Sequence, residues 1–187
     1  MDLDFTVEDR NIFLSEQISQ ESVTTVIEKI ITINESDEFL EKKAGLYDFT
    51  YTRKPIKLYI DSYGGSVYQC LGLIAVMMRS KTEIHTICTG VAMSAGFMIL
   101  ISGHRRFAHK YSTPLYHQAS SFLWGELKKQ EDDIAETKRL QKLLEDIVLE
   151  RTEIKRTKLK QVYTEKIDWY LSADDALANN VIDEILD

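Results

Sequence analysis

Two kinds of hydrophobic segment alternate along the chain, and this alternation limits the folds open to it. Short apolar runs typical of buried strands are followed by longer segments whose apolar side chains recur at helical spacing. Strands that alternate with helices predict an α/β domain with parallel pairing, because each helix returns the chain to the same end of the sheet. The predicted strands are Asn11–Leu14, Ile56–Ile60, Glu83–Cys88, Arg105–Ala108 and Thr113–His117. The predicted helices are Ser22–Ile33, Val67–Ser80, Val91–Ser102, Gly125–Lys160 and Ser172–Asn179.

Polar and small residues mark where several of these segments begin or end. Ser22 and Ser172 are predicted to cap the helices that follow them, and Asp175 occupies the third helical position after Ser172. The polar stretch Asn34–Lys54 is predicted to form an irregular surface loop. Thr89–Gly90 is predicted to be a turn between a strand and the next helix. With only 2 prolines and 8 glycines, the rest of the chain should be mostly regular structure.

Charge and cysteine content argue against several classes of function. The chain carries 30 acidic and 23 basic residues, and its formal net charge of -7 argues against binding to nucleic acid or to an anionic membrane. Its 2 cysteines, Cys70 and Cys88, form neither a CxxC pair nor a cluster with histidine, so we expect no disulfide scaffold and no metal site. The longest apolar stretch, around Val91–Ile101, is too short to span a bilayer, and the acidic first residues do not resemble a secretory signal. We therefore expect a cytoplasmic, reducing location.

A glycine pair follows the second predicted strand. Gly64 and Gly65 lie within Asp61–Ser66 (DSYGGS), between a strand and a helix. Glycines at such a place either close a tight turn or let backbone amides approach a ligand, which would provide two donors for an anion or oxyanion. The GxGxxG and Walker patterns are absent, which argues against a nucleotide cofactor. Both uses of the pair remain open at this point.

Ser94 and His117 are the residues best placed for nucleophilic chemistry. Ser94 lies among small residues (GVAMSAG) at a predicted helix, so its hydroxyl is either a packing group or one that a substrate reaches. His117 ends a predicted strand, and reacting groups collect at strand ends in open α/β sheets. A serine–histidine pair needs a third group that orients the imidazole. Asp61 and Asp168 both border strands or turns, and their spacing does not choose between them.

Several short motifs, taken in order, resemble those of the Clp protease proteolytic subunit (ClpP), a serine peptidase family with a crotonase-like α/β fold. The resemblance extends from about Asp9 to Leu186. Each motif is weak alone, but their common order and spacing are specific. The motifs are Arg10–Leu14 (RNIFL), Leu58–Ser66 (LYIDSYGGS), Thr86–Gly90 (TICTG), Ala92–Gly96 (AMSAG), His117–Gln118, Asp168–Ala173 (DWYLSA) and Val181–Asp183 (VID).

The resemblance implies both a fold and an activity. The fold would be a single domain over residues 1–187, with repeated β-β-α units in a superhelix and a protruding handle at about 118–150. The activity would be that of a serine endopeptidase that acts through an acyl-enzyme and uses no cofactor. The residues implied are Ser94 as nucleophile, His117 as general base, Asp168 as orienting acid, the Gly65 and Ala95 amides as oxyanion hole, and Gly64, Ser66 and Val67 as the strand that binds the peptide.

The resemblance also implies an assembly, in which rings of seven subunits stack face to face with the active sites inside. The handle between rings would comprise the segment Gln118–Trp124 and the helix from Gly125. Tyr63 stands where the family usually has proline, and Asn34–Lys54 is longer than in the family. The chain ends that dock an AAA+ Clp ATPase in this family are short here, which argues against that partner. These departures also suggest a short viral relative, which would act in the host cytoplasm.

Two other functions remain compatible with the residues. One is the acyl-thioester chemistry of the crotonase superfamily, which would use the same amide pair but requires no relay between Ser94 and His117. The other is a non-catalytic or partner-dependent subunit of a mixed ring, an alternative that the altered Tyr63 keeps open.

Overall fold

The computed structural model describes residues 9–120 and 126–187. Within these ranges, strands and helices alternate around a largely parallel sheet, which confirms the predicted α/β class. The strands are β1 (Asn11–Leu14), β2 (Ile56–Ser62), β3 (Ile84–Met93), β4 (Arg105–His109), β5 (Thr113–Tyr116), β6 (Trp169–Tyr170) and β7 (Glu184–Leu186). The helices are α1 (Gln20–Gly45), α2 (Val67–Arg79), α3 (Ala95–Ile101), α4 (Leu127–Arg151), α5 (Arg156–Glu165) and α6 (Ala173–Ala178).

One sheet joins these strands, and β3 lies at its centre. The main path runs β1-β2-β3-β4-β7, and every pairing along it is parallel. On the edge opposite β2, β3 has two successive partners, because His85–Cys88 pairs with β4 and Val91–Met93 pairs with β5. β6 then adds to β5 in the antiparallel sense. The residue that follows β3 therefore emerges directly beside β5.

Helices cover the sheet and share one apolar core with it. All seven residues of α3 are buried, so this short helix lies wholly inside the domain. Burial of such side chains is the main force that stabilises the fold. Among the helices of the described ranges, none is both long enough and apolar enough to cross a lipid bilayer. Representative core residues are Ile12, Leu58, Leu73, Ile84, Phe97, Val148 and Val162.

β3 is continuous, so the predicted turn at Thr89–Gly90 and the predicted helix start at Val91 are wrong. The strand bulges opposite Ile60–Ser62, where the register shifts. The Asp61 carboxylate accepts a hydrogen bond from the Val91 N–H (3.0 Å), which supplies a partner that the interrupted ladder cannot. A Cβ at Gly90 would come within 2.5 Å of Asp61 Oδ1, so a larger residue there would have to displace the carboxylate that supports the bulge. Small residues that predict a turn thus remain within a strand.

The stretch predicted as the loop Asn34–Lys54 is helical as far as Gly45. Its polar residues have distant partners: Asn34 Oδ1 accepts hydrogen bonds from the backbone amides of Lys81 (3.0 Å) and Thr82 (3.1 Å). The buried Asp37 accepts from Thr82 and is paired with Arg10. These contacts join parts of the chain far apart in sequence, so local polarity gave the wrong prediction.

The cap of α1 also differs from the prediction, whereas the cap of α6 agrees with it. Ser19 caps α1, and Ser22 is its third helical residue: Ser19 Oγ accepts from the Ser22 N–H (3.2 Å) and Ser22 Oγ accepts from the Ser19 N–H (3.0 Å). At α6, Ser172 and Asp175 form the same reciprocal arrangement, as predicted.

The helix predicted over Gly125–Lys160 is two helices, α4 and α5, in the described part of the chain. The break follows Thr152, whose hydroxyl donates to the Val148 carbonyl (2.7 Å), and Ile154 is buried in the gap. A buried apolar residue inside the connection thus marks a turn of the chain where the helical spacing of apolar residues predicted one continuous helix. Residues 121–125 of the predicted handle, including Gly125, lie outside the described residues.

Candidate active site

Ser94 lies at the junction of β3 and α3, in the middle of the domain. Its N–H donates to the carbonyl of Leu115 in β5 (3.0 Å), which fixes the junction against the neighbouring strand. The backbone angles are φ 55° and ψ -118°, a combination that L-residues rarely adopt. The hydroxyl makes no capping hydrogen bond to α3, although the residue stands at the N-cap. The sharp turn therefore presents a serine side chain that the fold does not use for its own hydrogen bonding.

The glycine pair lies against this serine. Gly64 has φ +102° and Gly65 has φ +154°, and a Cβ at Gly65 would meet the Ile18 carbonyl at 2.3 Å. Ile18 holds the turn on one side, because its N–H donates to Gly64 O (2.9 Å) and its carbonyl accepts from the Ser66 N–H (2.8 Å). The sequence did not suggest this contact. It leaves the N–H and carbonyl groups of Gly65 on the side of the turn that faces away from Ile18.

The amides of Gly65 and Ala95 both border a small cleft that Ser94 also lines. Ala95 is the first residue of α3, so its N–H has no partner within that helix. Neither N–H donates a backbone hydrogen bond elsewhere in the described ranges. Gly65 and Ala95 line the same cleft as Ser94, so their N–H groups are candidate donors to the oxygen of a carbonyl that this serine attacks.

His117 and Asp168 meet at the edge of the same cleft. His117 follows β5 and Asp168 precedes β6, and the antiparallel pairs Leu115–Tyr170 and Tyr116–Trp169 bring the two side chains opposite one another. His117 Nδ1 lies 3.0 Å from Asp168 Oδ1. This contact fixes the ring orientation and directs the other ring nitrogen, Nε2, away from the carboxylate.

Ser94 and His117 line one cleft, and no hydrogen bond joins their side chains in this structure. A general base must come within hydrogen-bond reach of the proton that it removes, and such contacts commonly shorten when substrate binds. The fold therefore brings the serine, the imidazole and the carboxylate to one place, with the shortest contact on the histidine–aspartate side.

Other candidates from the sequence lie elsewhere. Asp61 supports the bulge of β3 and is not the partner of His117. His85 contacts Glu83 (3.3 Å), and His104 Nδ1 accepts a hydrogen bond from the Ile84 N–H (3.0 Å). The His104 ring therefore supports the start of β3.

A buried thiol lies beside the serine without competing with it. Cys70 lines the cleft, and its Sγ contacts the Ala95 carbonyl (3.3 Å). Burial raises the pKa of the Cys70 thiol to about 12, so the thiol stays protonated and is a poor nucleophile. Within the described ranges, no group of three or more His, Cys, Asp or Glu side chains is placed to hold a metal ion.

The helix α4 forms one wall of the site, which the sequence analysis did not predict. Leu144 lines the cleft, and Gln141 Oε1 accepts a hydrogen bond from the Ala119 N–H (2.7 Å), just after His117. Tyr116 packs its ring against Phe97 (centroids 5.6 Å apart). These contacts join residues far apart in sequence, and no local pattern identifies them.

Comparison with known proteins adds independent information. The profile of the Clp protease family matches residues 3–187. The ATP-dependent Clp protease proteolytic subunit of Borreliella afzelii is 31% identical over 184 residues, which cover 95% of this chain and 83% of the relative. The subunit of Deinococcus radiodurans is 27% identical over 183 residues, covering 97% and 82%. Subunit 1 of Prochlorococcus marinus (strain MIT 9312) is 29% identical over 181 residues, covering 96% and 85%.

Proposed function

Since this chain belongs to the Clp protease family and is a serine-type endopeptidase, we propose that Ser94, His117 and Asp168 carry out its chemistry. The observation that supports the proposal most is geometric. Ser94 and His117 line one cleft. Asp168 Oδ1 lies 3.0 Å from His117 Nδ1, which leaves the other ring nitrogen, Nε2, for the serine hydroxyl. This proximity of residues from three distant parts of the chain supports the proposal that they act together in acyl transfer.

In the proposed reaction, His117 Nε2 accepts the proton of Ser94 Oγ as the oxygen attacks the peptide carbonyl. The Gly65 and Ala95 N–H groups hold the negative charge that develops on the carbonyl oxygen. His117 then gives its proton to the leaving amine, which leaves an ester between Ser94 and the acyl half of the substrate. Water, deprotonated by His117, hydrolyses the ester and regenerates the hydroxyl. Asp168 stabilises the imidazolium that forms in both steps.

The peptide is proposed to bind as an added strand beside residues Gly64, Gly65, Ser66 and Val67. The Gly64 carbonyl and the Ser66 N–H are already bonded to Ile18. Because backbone groups alternate sides along an extended segment, the free side of the turn is that of Gly65, next to Ser94. A substrate on this side would bring its carbonyl to the serine and the amide pair together.

The proposal extends to assembly and partners. Members of this family form ring oligomers that take peptide substrates, and the curated relatives are named ATP-dependent. We propose that this chain likewise forms seven-membered rings with internal active sites, fed by a Clp ATPase. Within each subunit, residues 1–187 act as one peptidase domain and residues 118–150 as the handle between rings. The expectation against an ATPase partner rested on both chain ends, and of these the first eight residues lie outside the described residues.

The experiment combines one substitution with one covalent probe. Ser94→Ala should abolish hydrolysis of fluorogenic peptides and labelling by a fluorophosphonate, because both need the same alkoxide. Ser15→Ala, at an exposed serine after β1, should retain both. Unchanged turnover in Ser94→Ala would contradict the proposal. Native mass spectrometry tests the ring, and masses of seven or fourteen subunits are expected.

A further inference from the structure

A second cavity adjoins the catalytic cleft. It is a groove of about 610 Å³ between α4, α5 and the segment that follows β5. Gln118 and Ala119 form the end nearest the site, and Ala119 also lines the cleft that holds Ser94. The groove and the cleft that holds Ser94 therefore adjoin at Ala119.

The groove is strongly cationic. Lys138 and Lys142 line it from α4, and Arg156 and Lys160 line it from α5. Residues four apart on a helix share a face, so each helix presents a pair of positive charges to the same space. This concentration of positive charge lies in a chain whose formal net charge is -7.

These four cations have no ion-pair partner among the described residues. Other cations of α4 do have partners: Lys128 lies 3.0 Å from Asp132, and Arg139 lies 2.7 Å from Glu136. Lys128 and Arg139 are thus paired with carboxylates of their own helix, whereas Lys138 and Lys142 have no such pair among the described residues.

The one carboxylate in the groove is engaged by a neutral group. Glu145 Oε1 accepts a hydrogen bond from Gln141 Nε2 (2.7 Å), and the same Gln141 side chain accepts from the Ala119 N–H. Ile134 and Tyr163 add apolar surface to the lining. The groove therefore combines free positive charge with surface for the methylene groups of a side chain.

We propose that this groove is a subsite for acidic side chains of peptide substrates. The proposal rests on the peptidase function of the Ser94 cleft and names a substrate class for it. An Asp or Glu side chain on one side of the cleaved bond enters past Ala119 and accepts hydrogen bonds from the lysine ammonium groups. Arg156 adds a planar donor that binds both carboxylate oxygens.

The solvent exposure of the four cations limits the expected preference for glutamate over glutamine. All four cations are exposed, so water and salt screen their charges. We expect kcat/KM for a glutamate peptide to exceed that of its glutamine counterpart by about three- to tenfold at low salt, and the ratio to fall as salt is added.

The test uses two peptide series that are identical except for one glutamate or glutamine, placed at successive positions around the cleaved bond. The Glu/Gln ratio of kcat/KM should rise on one side of the bond and stay near one on the other. The double variant K142Q/R156Q should bring the ratio close to one. The double variant K129Q/K155Q removes the same charge outside the groove and should keep the preference.

The outcomes separate the two proposals. Equal hydrolysis of glutamate and glutamine peptides at every position overturns the subsite and leaves the Ser94 chemistry intact. If no peptide is cleaved and the fluorophosphonate does not react, the proposed function fails, and the subsite fails with it. Native mass spectrometry tests the alternative that the groove is a contact between copies of the chain. A changed subunit number in K142Q/R156Q, but not in K129Q/K155Q, would support that alternative and overturn the subsite.

Discussion

Gly64 and Ser94 are in direct contact, such that a Cβ at Gly64 would lie 2.8 Å from Ser94 Cβ. The same atom would lie 2.8 Å from the Met93 carbonyl oxygen. Real Cβ atoms do not approach backbone oxygen so closely, and Gly64 also has φ +102°. The glycine pair and the serine, which lie in separate motifs of the sequence, are therefore one structural unit.

Gly64→Ala should lower both stability and peptide hydrolysis. The added methyl must displace Ser94 or the end of β3, and the backbone is strained for alanine, so we expect the free energy of unfolding to fall by about 2 kcal/mol or more. Urea unfolding and a fluorogenic peptide assay measure the two effects. Gly72→Ala in α2 is the control: no atom lies within 4 Å of the new Cβ, and a gain of up to about 1 kcal/mol is expected. Equal stability of the two variants would contradict this account.

Asp168→Asn should reduce kcat by about 10²-fold or more without unfolding the protein. The amide cannot stabilise the imidazolium of His117 and favours the wrong tautomer. The Asp168 side chain is 56% exposed, so its loss should barely change the melting temperature. Asp174→Asn, at an exposed position in the first turn of α6, is the matched control and should leave kcat unchanged. A wild-type kcat in Asp168→Asn would show that the carboxylate does not orient the base.

Ser94→Gly should be more stable than Ser94→Ala by about 1 kcal/mol, although neither has a nucleophile. Glycine adopts φ 55° and ψ -118° without the steric penalty that alanine retains. Thermal unfolding of the two inactive variants measures the difference. A lower melting temperature for Ser94→Gly would mean that the turn at residue 94 stores no strain.

Asp37 should make stability depend on pH in the acid range. Burial alone would raise the pKa of this carboxyl, but hydrogen bonds from Arg10, Thr82 and Tyr51 lower it to about 2. The folded state thus binds the proton more weakly than the unfolded chain, whose pKa is near 3.8. The stabilisation is complete above that value and is lost as the pH falls toward about 2. It amounts to about 2 kcal/mol.

Asp37→Asn tests this linkage. The stability difference between wild type and variant, from urea unfolding, should shrink by about 2 kcal/mol between pH 6 and pH 2. Glu35→Gln, an exposed neighbour on α1, should show no comparable change. A difference that stays constant over this range would mean that Asp37 does not titrate with folding.

Much of the sheet could be predicted from local pattern. The strands β1, β2, β4 and β5, the helix α2 and the reciprocal cap at Ser172 and Asp175 follow from spacing and propensity. The errors at β3 and in the second half of α1 have a common cause, which is a polar group whose partner is distant in sequence. Asp61 carries β3 through its bulge, and Asn34 and Asp37 hold the second half of α1 in helical form.

The histidine–aspartate contact was the part of the site least accessible to residue patterns. Asp61 and Asp168 were equivalent by spacing, and only resemblance to a family favoured Asp168. The structure separates them through β6, a two-residue strand too short to show a period in the sequence. The wall formed by α4 was also missed. Gln141 contacts the segment after His117 through one side-chain hydrogen bond, and no periodic pattern in the sequence reveals such a contact.

Ser94 and His117 are held by parts of the fold that differ strongly in burial. The helix that follows Ser94 is buried throughout, whereas His117 and Asp168 stand on the rim of the sheet, beside the short ladder between β5 and β6. A small displacement of that rim would stop peptide hydrolysis while the interior of the domain stays folded. A ligand or neighbouring subunit that moved this rim would therefore lower turnover without unfolding the domain.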